Sequence, residues 1–578
     1  MKKTIDNEQL RSEKPEVAED AAVHKKSSIK HEKFHVRDLF KTKKRTVLTS
    51  GIIAVLILVV LFAVPVTRYG ILGTVIKKEI SVTVIDAKTK QPVTDASVTI
   101  GSISKQTDKN GVVKVSKTPV GTSDIQVTKR FYQNYEQTYM VPLLTTPSAQ
   151  KIELTATGRQ VTVVVVDKIT GRSIADAVVA SGETKATTSA KGNADLVLAP
   201  VPDTQKITIT KSGYNLQEAE LKVVSGVVSI YALTPAGSIY YLSNATGKIN
   251  VMKSNLDGSN PTVAVQATGK ESGRDTSLLS ARDWKYSALI ATRADKQAIY
   301  LVDSNKGDLS VLDEGNASFV SVGWFGHNFI YTVYRDGGNV WESNRQLVKS
   351  FNADTRKITV IDQNIATGSN IYDAQYQTFG SVYILDNEIV YTKSWQYGYY
   401  NNLGADKTTS LVSADPRTGS KKTIKSFPVN NSVDAKLYEP QGIYIRVAPA
   451  NGTAAFYEYE DGAVKTVTDT SDSKFYDVYS TYLVSPSGKK TLWAESRDGK
   501  NTLFIGDKNG TNAKQIATLS DYTPYGWYGA DDQYILLTKD GSELYVAPAG
   551  NTLGDPLKVT EYYKTRSYPG YGYGYGGQ

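Results

Sequence analysis

Between Ser485 and Ser520 the chain reads SPSGKKTLWAESRDGKNTLFIGDKNGTNAKQIATLS, short runs of strand-forming residues cut by Ser-Gly, Asp-Gly and Asn-Gly. Asn-Gly and Asp-Gly suit tight hairpins because both residues tolerate the positive φ those turns need. The stretch therefore predicts a small antiparallel meander. The next stretch repeats the design as YTPYGWYGADD, QYILLTKDG, SELYVAPAG and DPLKVTEYY, with Gly499 and Gly541 42 residues apart and Gly510 and Gly550 40 apart. Four strands at a period of about 40–45 residues are the sequence sign of propeller blades. Earlier units start at Ser277, at Ser318, near Gly380 and at Leu437. The first, from Gly237, has three evident strands. About seven blades over residues 237–563 follow, and six or eight also fit. Ring closure by Val227–Leu233 and by the segment after Tyr563 both stay open.

Upstream, a second repeat has a different period. ISVTVIDAKTKQPVTDASVTI starts at Ile80 and VTVVVVDKITGRSIADAVVAS at Val161; Asp86, Asp95, Ala96 and Gly111 recur as Asp167, Asp176, Ala177 and Gly192, each 81 residues on. Both copies alternate apolar and polar residues at period two between regular turns, which predicts short antiparallel strands of β-sandwiches over 79–157 and 158–235. The expected fold class is all-β: two small sandwiches, then the propeller.

These segments carry two resemblances. The second copy resembles the carboxypeptidase regulatory-like, transthyretin-like family at Val166-Asp167, Thr170-Gly171, Ala177-x-Val179, Thr188-x-x-x-Gly192 and Gly213-Tyr214; the first is more divergent, with Lys90 at the turn glycine. The resemblance implies non-catalytic spacers or binding modules. The later region is similar to the TolB-like propeller family at Ser485-Pro486-Ser487-Gly488-Lys489, Leu503-Phe504-Ile505 and Asp507-Lys508-Asn509-Gly510, with Leu256-Asp257-Gly258-Ser259 as a cognate turn. That implies a fold and a habit of protein or peptide binding, and no catalytic residue.

Val47–Val66 is 20 residues without a charge, about 30 Å as a helix and enough for a hydrocarbon core. Lys41, Lys43, Lys44 and Arg45 precede it and only Arg68 follows closely. The positive-inside rule then predicts a single-pass signal anchor over 46–68, with 1–45 a disordered basic tail in the cytoplasm and the remaining domains outside. HEKFHVRDLFKTKKR, 31–45, reads as the topology signal, with a membrane-surface helix as the alternative.

Composition narrows the chemistry. There is no Cys, which removes disulfides, thiol catalysis and Cys-ligated metal. Of the four His, only His327 follows the apolar run, so a Ser-His-Asp triad or a His-rich zinc site is disfavoured, and His327 in GWFGHNF reads as a turn residue. Residues 1–45 carry 13 Lys/Arg against 8 Asp/Glu, more than half of the net +9. The rest is close to neutral, with no basic stripe for nucleic acid. Asp303-Ser-Asn305-Lys-Gly307-Asp308 reads as a blade turn rather than a calcium loop. No nucleophile elbow, Walker or Rossmann pattern is present. No catalytic, metal or cofactor residue is assigned.

One connection is swollen: SWQYGYYNNLGADK, Ser394 to Lys407, where hairpins use two to five residues. Its Tyr, Trp, Asn and Gly mix is that of a binding loop. Trp395, Tyr397, Tyr399 and Tyr400 are the candidate partner-binding residues, and a tolerated insertion is the competing reading. The tail 564–578, rich in Tyr and Gly, is expected to be disordered. The expected function is a membrane-anchored scaffold presenting its propeller to an envelope protein, peptide or glycan. The rival is a carbohydrate-active or other hydrolytic propeller enzyme using axial carboxylates.

Overall fold

The computed structural model describes residues 50–57, 59, 63, 65–304, 307–339, 341–399, 403–404, 406–439, 442–476, 482–497 and 500–565. The tail 1–45, part of Val47–Val66, Tyr400, the turn glycine Gly499 and residues 566–578 lie outside them. The chain forms two units, one through Thr157 and one from Gly158. Almost every element is a strand, so the all-β expectation holds.

In the first unit, Val112–Pro119, Lys77–Asp86 and Gln150–Leu154 make one sheet, and Ile103–Gln106, Ser97–Ile100, Gly121–Thr128 and Tyr135–Val141 a second. Period-two alternation turns Ile80, Val82 and Val84 inward against Val98, Ile100, Ile125 and Val127. Each such side chain contributes about 1.5–3 kcal/mol of burial. The helix Pro65–Val75 precedes this pair of sheets, and Tyr69, Leu72 and Ile76 pack on their core. Residues just after Arg68 are thus helical and seated on protein. Among the described residues no helix is long and apolar enough to cross a membrane.

The second unit opens with the same plan: Asn193–Leu198, Arg159–Asp167 and Val228–Leu233 face Thr184–Thr187, Val178–Ser181, Thr204–Thr210 and Gln217–Lys222. The 81-residue repeat has a physical basis at each shared position. Asp86 Oδ1 accepts from the backbone N–H of Lys88 and Thr89, as Asp167 Oδ1 does from Ile169 and Thr170. Tyr132 and Tyr214 donate to the second oxygens at 3.1 and 3.0 Å. Thr107 and Thr188, both buried, accept from Ala96 and Ala177 N–H and donate to Val93 and Ile174 carbonyls. Gly111 and Gly192 have φ of 71° and 77°, and a Cβ there would stand 2.4 and 2.6 Å from the Val84 and Val165 oxygens. Only glycine fits.

From Ile239 the described residues form seven successive antiparallel sheets. The first holds three strands, Ile239–Ser243, Asn250–Ser254 and Thr262–Val265; the fourth holds five; the others hold four. First strands of consecutive sheets are tied by tryptophans: Trp324 Nε1 donates to Leu279 O at 2.9 Å and Trp527 Nε1 to Leu483 O at 2.7 Å. The first strands therefore line the centre. Trp284 of the second sheet donates to Trp527 O of the seventh at 2.7 Å, past the first sheet. That sheet lacks an innermost strand, as its sequence suggested.

The hydrophobic cores lie between neighbouring sheets. One cluster joins Leu536 and Val546 of the seventh to Leu242 and Val251 of the first and Leu289 of the second. Last sheet thus meets first, the arrangement of a β-propeller. Buried polar ties repeat around it: Asp313 accepts from Tyr331 and Lys349, and Asp362 from Tyr391 and Lys393 of the following sheet. Val228–Leu233 pairs with Arg159–Asp167, so it is removed as a closing strand. Tyr563 N–H donates to Leu242 O at 2.8 Å, placing the end of the described chain beside the free edge of the first sheet.

The strand Arg159–Asp167 and its neighbours are bolted to this ring. Tyr534 donates to Asp167 Oδ2 at 2.5 Å, Lys168 and Thr234 both reach Asp257 Oδ2, and Tyr528 donates to Ala236 O. Asp257 belongs to the Leu256-Asp257-Gly258-Ser259 turn. Burial alone would raise its carboxyl, but bonds from Lys168, Ser259 and Thr234 outweigh this and hold it at about 2. These contacts use the end of the ring that carries the first-to-second and third-to-fourth strand turns.

Candidate functional site

At the opposite end, the fourth sheet grows beyond its neighbours. Its first strand, Gln375–Ile384, pairs with Ile389–Tyr397 as far as Gln375 against Tyr397, and the short Ala366–Thr367 adds a fifth strand beside Gln375 and Tyr376. This corrects the sequence reading of Ser394–Lys407 as loop throughout. Ser394, Trp395, Gln396 and Tyr397 continue the hairpin because Gln375–Thr378 supply a partner strand.

The tip is stitched from two segments. Gly398 N–H donates to Ala374 O and Tyr399 N–H to Ile371 O, both at 2.8 Å. A Cβ on Gly398 would stand 1.9 Å from the Ile371 oxygen, so only glycine lets the two backbones meet. Asp373 turns the second segment by accepting from Ser369 and Asn370 N–H, and that backbone bond from Asn370 holds its carboxyl below the usual range.

The result is a small aromatic platform. Tyr372 and Tyr399 meet edge to face, centroids 5.6 Å apart, and remain 53% and 73% exposed. Tyr397 and Ile371 are each 38% exposed. Trp395 is different: it is half-buried, with Lys407 Nζ 4.3 Å from its ring centroid, a cation–π contact that fixes the base of the loop. Of the candidates, Tyr397 and Tyr399 are exposed, Tyr399 in contact with Tyr372, Trp395 is half-buried against Lys407, and Tyr400 is outside the described residues. Sequence reasoning missed Tyr372 and Ile371, which arrive from the connector before the first strand. The signal was the long stretch between Gln363 and Gln375, with Ser369, Asn370 and Asp373 as turn formers.

His327 lies in the turn after Ala317–Phe325, as expected, but it is not idle. Nδ1 is 2.6 Å from Asp354 Oδ2 and Nε2 2.8 Å from Asp283 Oδ2. Burial works against its protonation, yet the two carboxylates outweigh that and raise it above its ordinary value. Flanked on opposite ring edges by acceptors, it serves as a clamp between the second and third sheets.

No family model and no curated protein matches the chain. Among solved structures it is similar to oligogalacturonate lyase from Vibrio parahaemolyticus at 11% identity, over 56% of this chain and 85% of that one, with a TM-score of 0.31. TolB from Acinetobacter baumannii is similar at 14% identity, over 58% and 78%, with a TM-score of 0.25. An acylaminoacyl peptidase shares 13% identity over 62% and 51%, with a TM-score of 0.33. The architecture above stands on strand order and inter-sheet cores, not on these likenesses.

Proposed function

We propose that this chain is a membrane-anchored, non-enzymatic binding protein of the cell envelope. Its seven sheets are read as the blades of one ring, carried by a β-sandwich and presenting the Tyr372–Tyr397–Tyr399 platform to a protein, peptide or glycan. The observation that carries this reading is the platform itself. Large rings left exposed on a built tip, on the end of the ring turned away from the second repeat, suit recognition better than stability. The anchor is read from Val47–Val66. In its described part Ile52, Ile53, Val55, Leu56, Ile57 and Val59 are 48–58% exposed, apolar side chains with little protein cover, as a bilayer-facing helix requires.

The test replaces Tyr372, Tyr397 and Tyr399 by Ser in the full chain and measures capture of envelope proteins, peptides and glycans. Aromatic anchors contribute at least about 2 kcal/mol each on truncation, so capture should weaken by well over about tenfold. Thermal stability should stay within about 0.5 kcal/mol of the parent. Unchanged capture rejects the platform. Protease added to intact cells should remove the mass after Arg68; a protected propeller rejects the anchored orientation.

A further inference from the structure

One end of the first unit's sandwich is capped by two segments. The register sets Lys77 opposite Pro119 and Gly121 opposite Val141, so the start of Lys77–Asp86, the turn 117–121 and the connection 142–149 share that end. The helix Pro65–Val75 is seated there by close approach at two glycines. A Cβ on Gly73 would stand 2.8 Å from Val120 O, and one on Gly121 2.9 Å from Tyr69 Cβ. Only Ile76 separates the helix from the strand Lys77–Asp86, so the helix and the sandwich share one orientation. Lys78 Nζ donates to Thr145 O at 3.4 Å, which ties the connection to that strand. Tyr69, Leu72, Ile76 and Leu143 turn inward onto the core.

The outward side of this cap is apolar. Ile71 and Val75, one helical turn apart, are 53% and 79% exposed, and Leu144 is 92% exposed. Side chains left in water in this way forgo the stabilisation that burial gives. The charges around them are mostly basic: residues 65–79, 117–121 and 142–149 hold Arg68, Lys77, Lys78 and Lys117 against Glu79 alone. Arg68 lies over the Tyr69 ring, 4.7 Å from its centroid, and donates to Tyr69 Oη at 3.2 Å. An Arg–Tyr pair beside apolar side chains suits the zone between headgroups and hydrocarbon. The position fits as well. Ile71 follows the uncharged run Val47–Val66 by five residues, about 7.5 Å along a helix, and the headgroup layer on one side of a bilayer is about 5–8 Å deep.

We propose that this end of the first sandwich is a membrane-contact face. Ile71, Val75 and Leu144 enter the headgroup boundary of the bilayer, and Arg68, Lys77 and Lys78 meet anionic lipid headgroups. The proposal rests on the reading of Val47–Val66 as an anchor and adds to it that the sandwich lies against the bilayer instead of standing off it.

The chain has no Cys, so a single introduced thiol takes a fluorescent label unambiguously. The full chain is labelled at Leu144→Cys, Val75→Cys, Val55→Cys or Lys109→Cys and reconstituted in vesicles of equal parts phosphatidylcholine and phosphatidylglycerol. All four positions are exposed, so labelling removes no packing. Val55 reports the anchor. Lys109 lies in the turn before Val112, which pairs with Thr83 at the far end of the sandwich. Phosphatidylcholine brominated along its acyl chains should quench the labels at Val55, Val75 and Leu144 and leave Lys109 unquenched. Lys77→Gln should weaken the docked state read by the Leu144 label about fivefold in these vesicles. Quenching at Val55 with none at Leu144 and Val75 overturns the contact face and leaves the anchor standing. No quenching at Val55 rejects the anchor, and the contact face with it. A blue-shifted but unquenched Leu144 label means that protein covers this end, and quenching at Lys109 equal to that at Leu144 means that the sandwich has no preferred face; either overturns the proposal, as does unchanged docking in Lys77→Gln.

Discussion

Asp86 and Asp167 sit 81 residues apart at the same point of the same plan, and the bonds that close each turn include two from backbone N–H groups and one from a tyrosine. In the second repeat a further tyrosine, Tyr534, reaches the carboxylate from the ring. The next residue, Lys168, is paired with the buried Asp257. The outer faces diverge too. In the first repeat Thr83 lies opposite Lys151 and Ile85 opposite Glu153, with Lys90 bridging to Glu153 at 2.6 Å. In the second, Val164 lies opposite Ile230 and Val166 opposite Ala232. One copy spends its signature carboxylate on its own turn; the other uses the same group as the joint to a larger body. The turn chemistry is common to both copies, and the contacts with the ring surround it in the second.

That difference is largest in what removal of the carboxylate does. Asp167→Ala strands two backbone donors and the Tyr214 and Tyr534 hydroxyls, the second of them from the ring; Asp86→Ala strands two backbone donors and the Tyr132 and Thr89 hydroxyls, all from its own repeat. At about 1–3 kcal/mol per buried group left unmatched, the expected loss is about 4 kcal/mol for either variant, and what separates them is which transition moves. Denaturant unfolding followed by tryptophan emission should show the Asp167 variant shifting the ring's transition and the Asp86 variant leaving it in place, since every Trp follows Gly158. Equal shifts would abolish the distinction between the repeats.

Acid sharpens it next. The Asp257 carboxyl is held at about 2 against an ordinary 3.8. A lowered carboxyl contributes stability that is present above the unfolded value and is lost as pH falls through the folded one. At 1.36 kcal/mol per pKa unit the contribution is about 2 kcal/mol. The wild-type advantage over Asp257→Asn should therefore be about 2 kcal/mol at pH 5–7 and close between about pH 4 and 2. Stability curves of the pair against pH check this; an advantage that persists at pH 2 shows that Asp257 acts by packing.

Why some of this was legible in the sequence and some not follows from range. Gly111 and Gly192 announced themselves because a carbonyl occupies the space a Cβ would need. The propeller turns were readable for the same local reason, and so was the missing strand before Ile239. Lys90, with a φ of 58° where the second repeat has Gly171 at 67°, shows a position that prefers glycine without demanding it. The contact of Tyr534 with Asp167 spans 367 residues, and no local pattern encodes it. The swollen connection was seen, yet its first four residues were misassigned, because a strand extension depends on a partner strand rather than on its own turn formers. Tyr372 escaped because its place beside Tyr399 is set by the backbone approach at Gly398.

The smallest expected effect concerns the outer faces. Ile230 is 68% exposed on the edge strand Val228–Leu233, at the position Lys151 takes in the first repeat. If the apolar face of the second repeat is surface, Ile230→Lys removes no packing, and side-chain entropy changes little for a residue that stays in solvent. The stability change should lie within about 0.5 kcal/mol. The reverse change in the first repeat, Lys151→Ile, should be similarly mild, because the Lys90–Glu153 pair that remains is exposed and such pairs contribute about 0–1 kcal/mol. Chemical denaturation of both variants decides. A loss above about 1.5 kcal/mol for Ile230→Lys alone would mean that this face is packed when the chain is folded, and the two repeats would then differ in what covers them as well as in how their carboxylates are used.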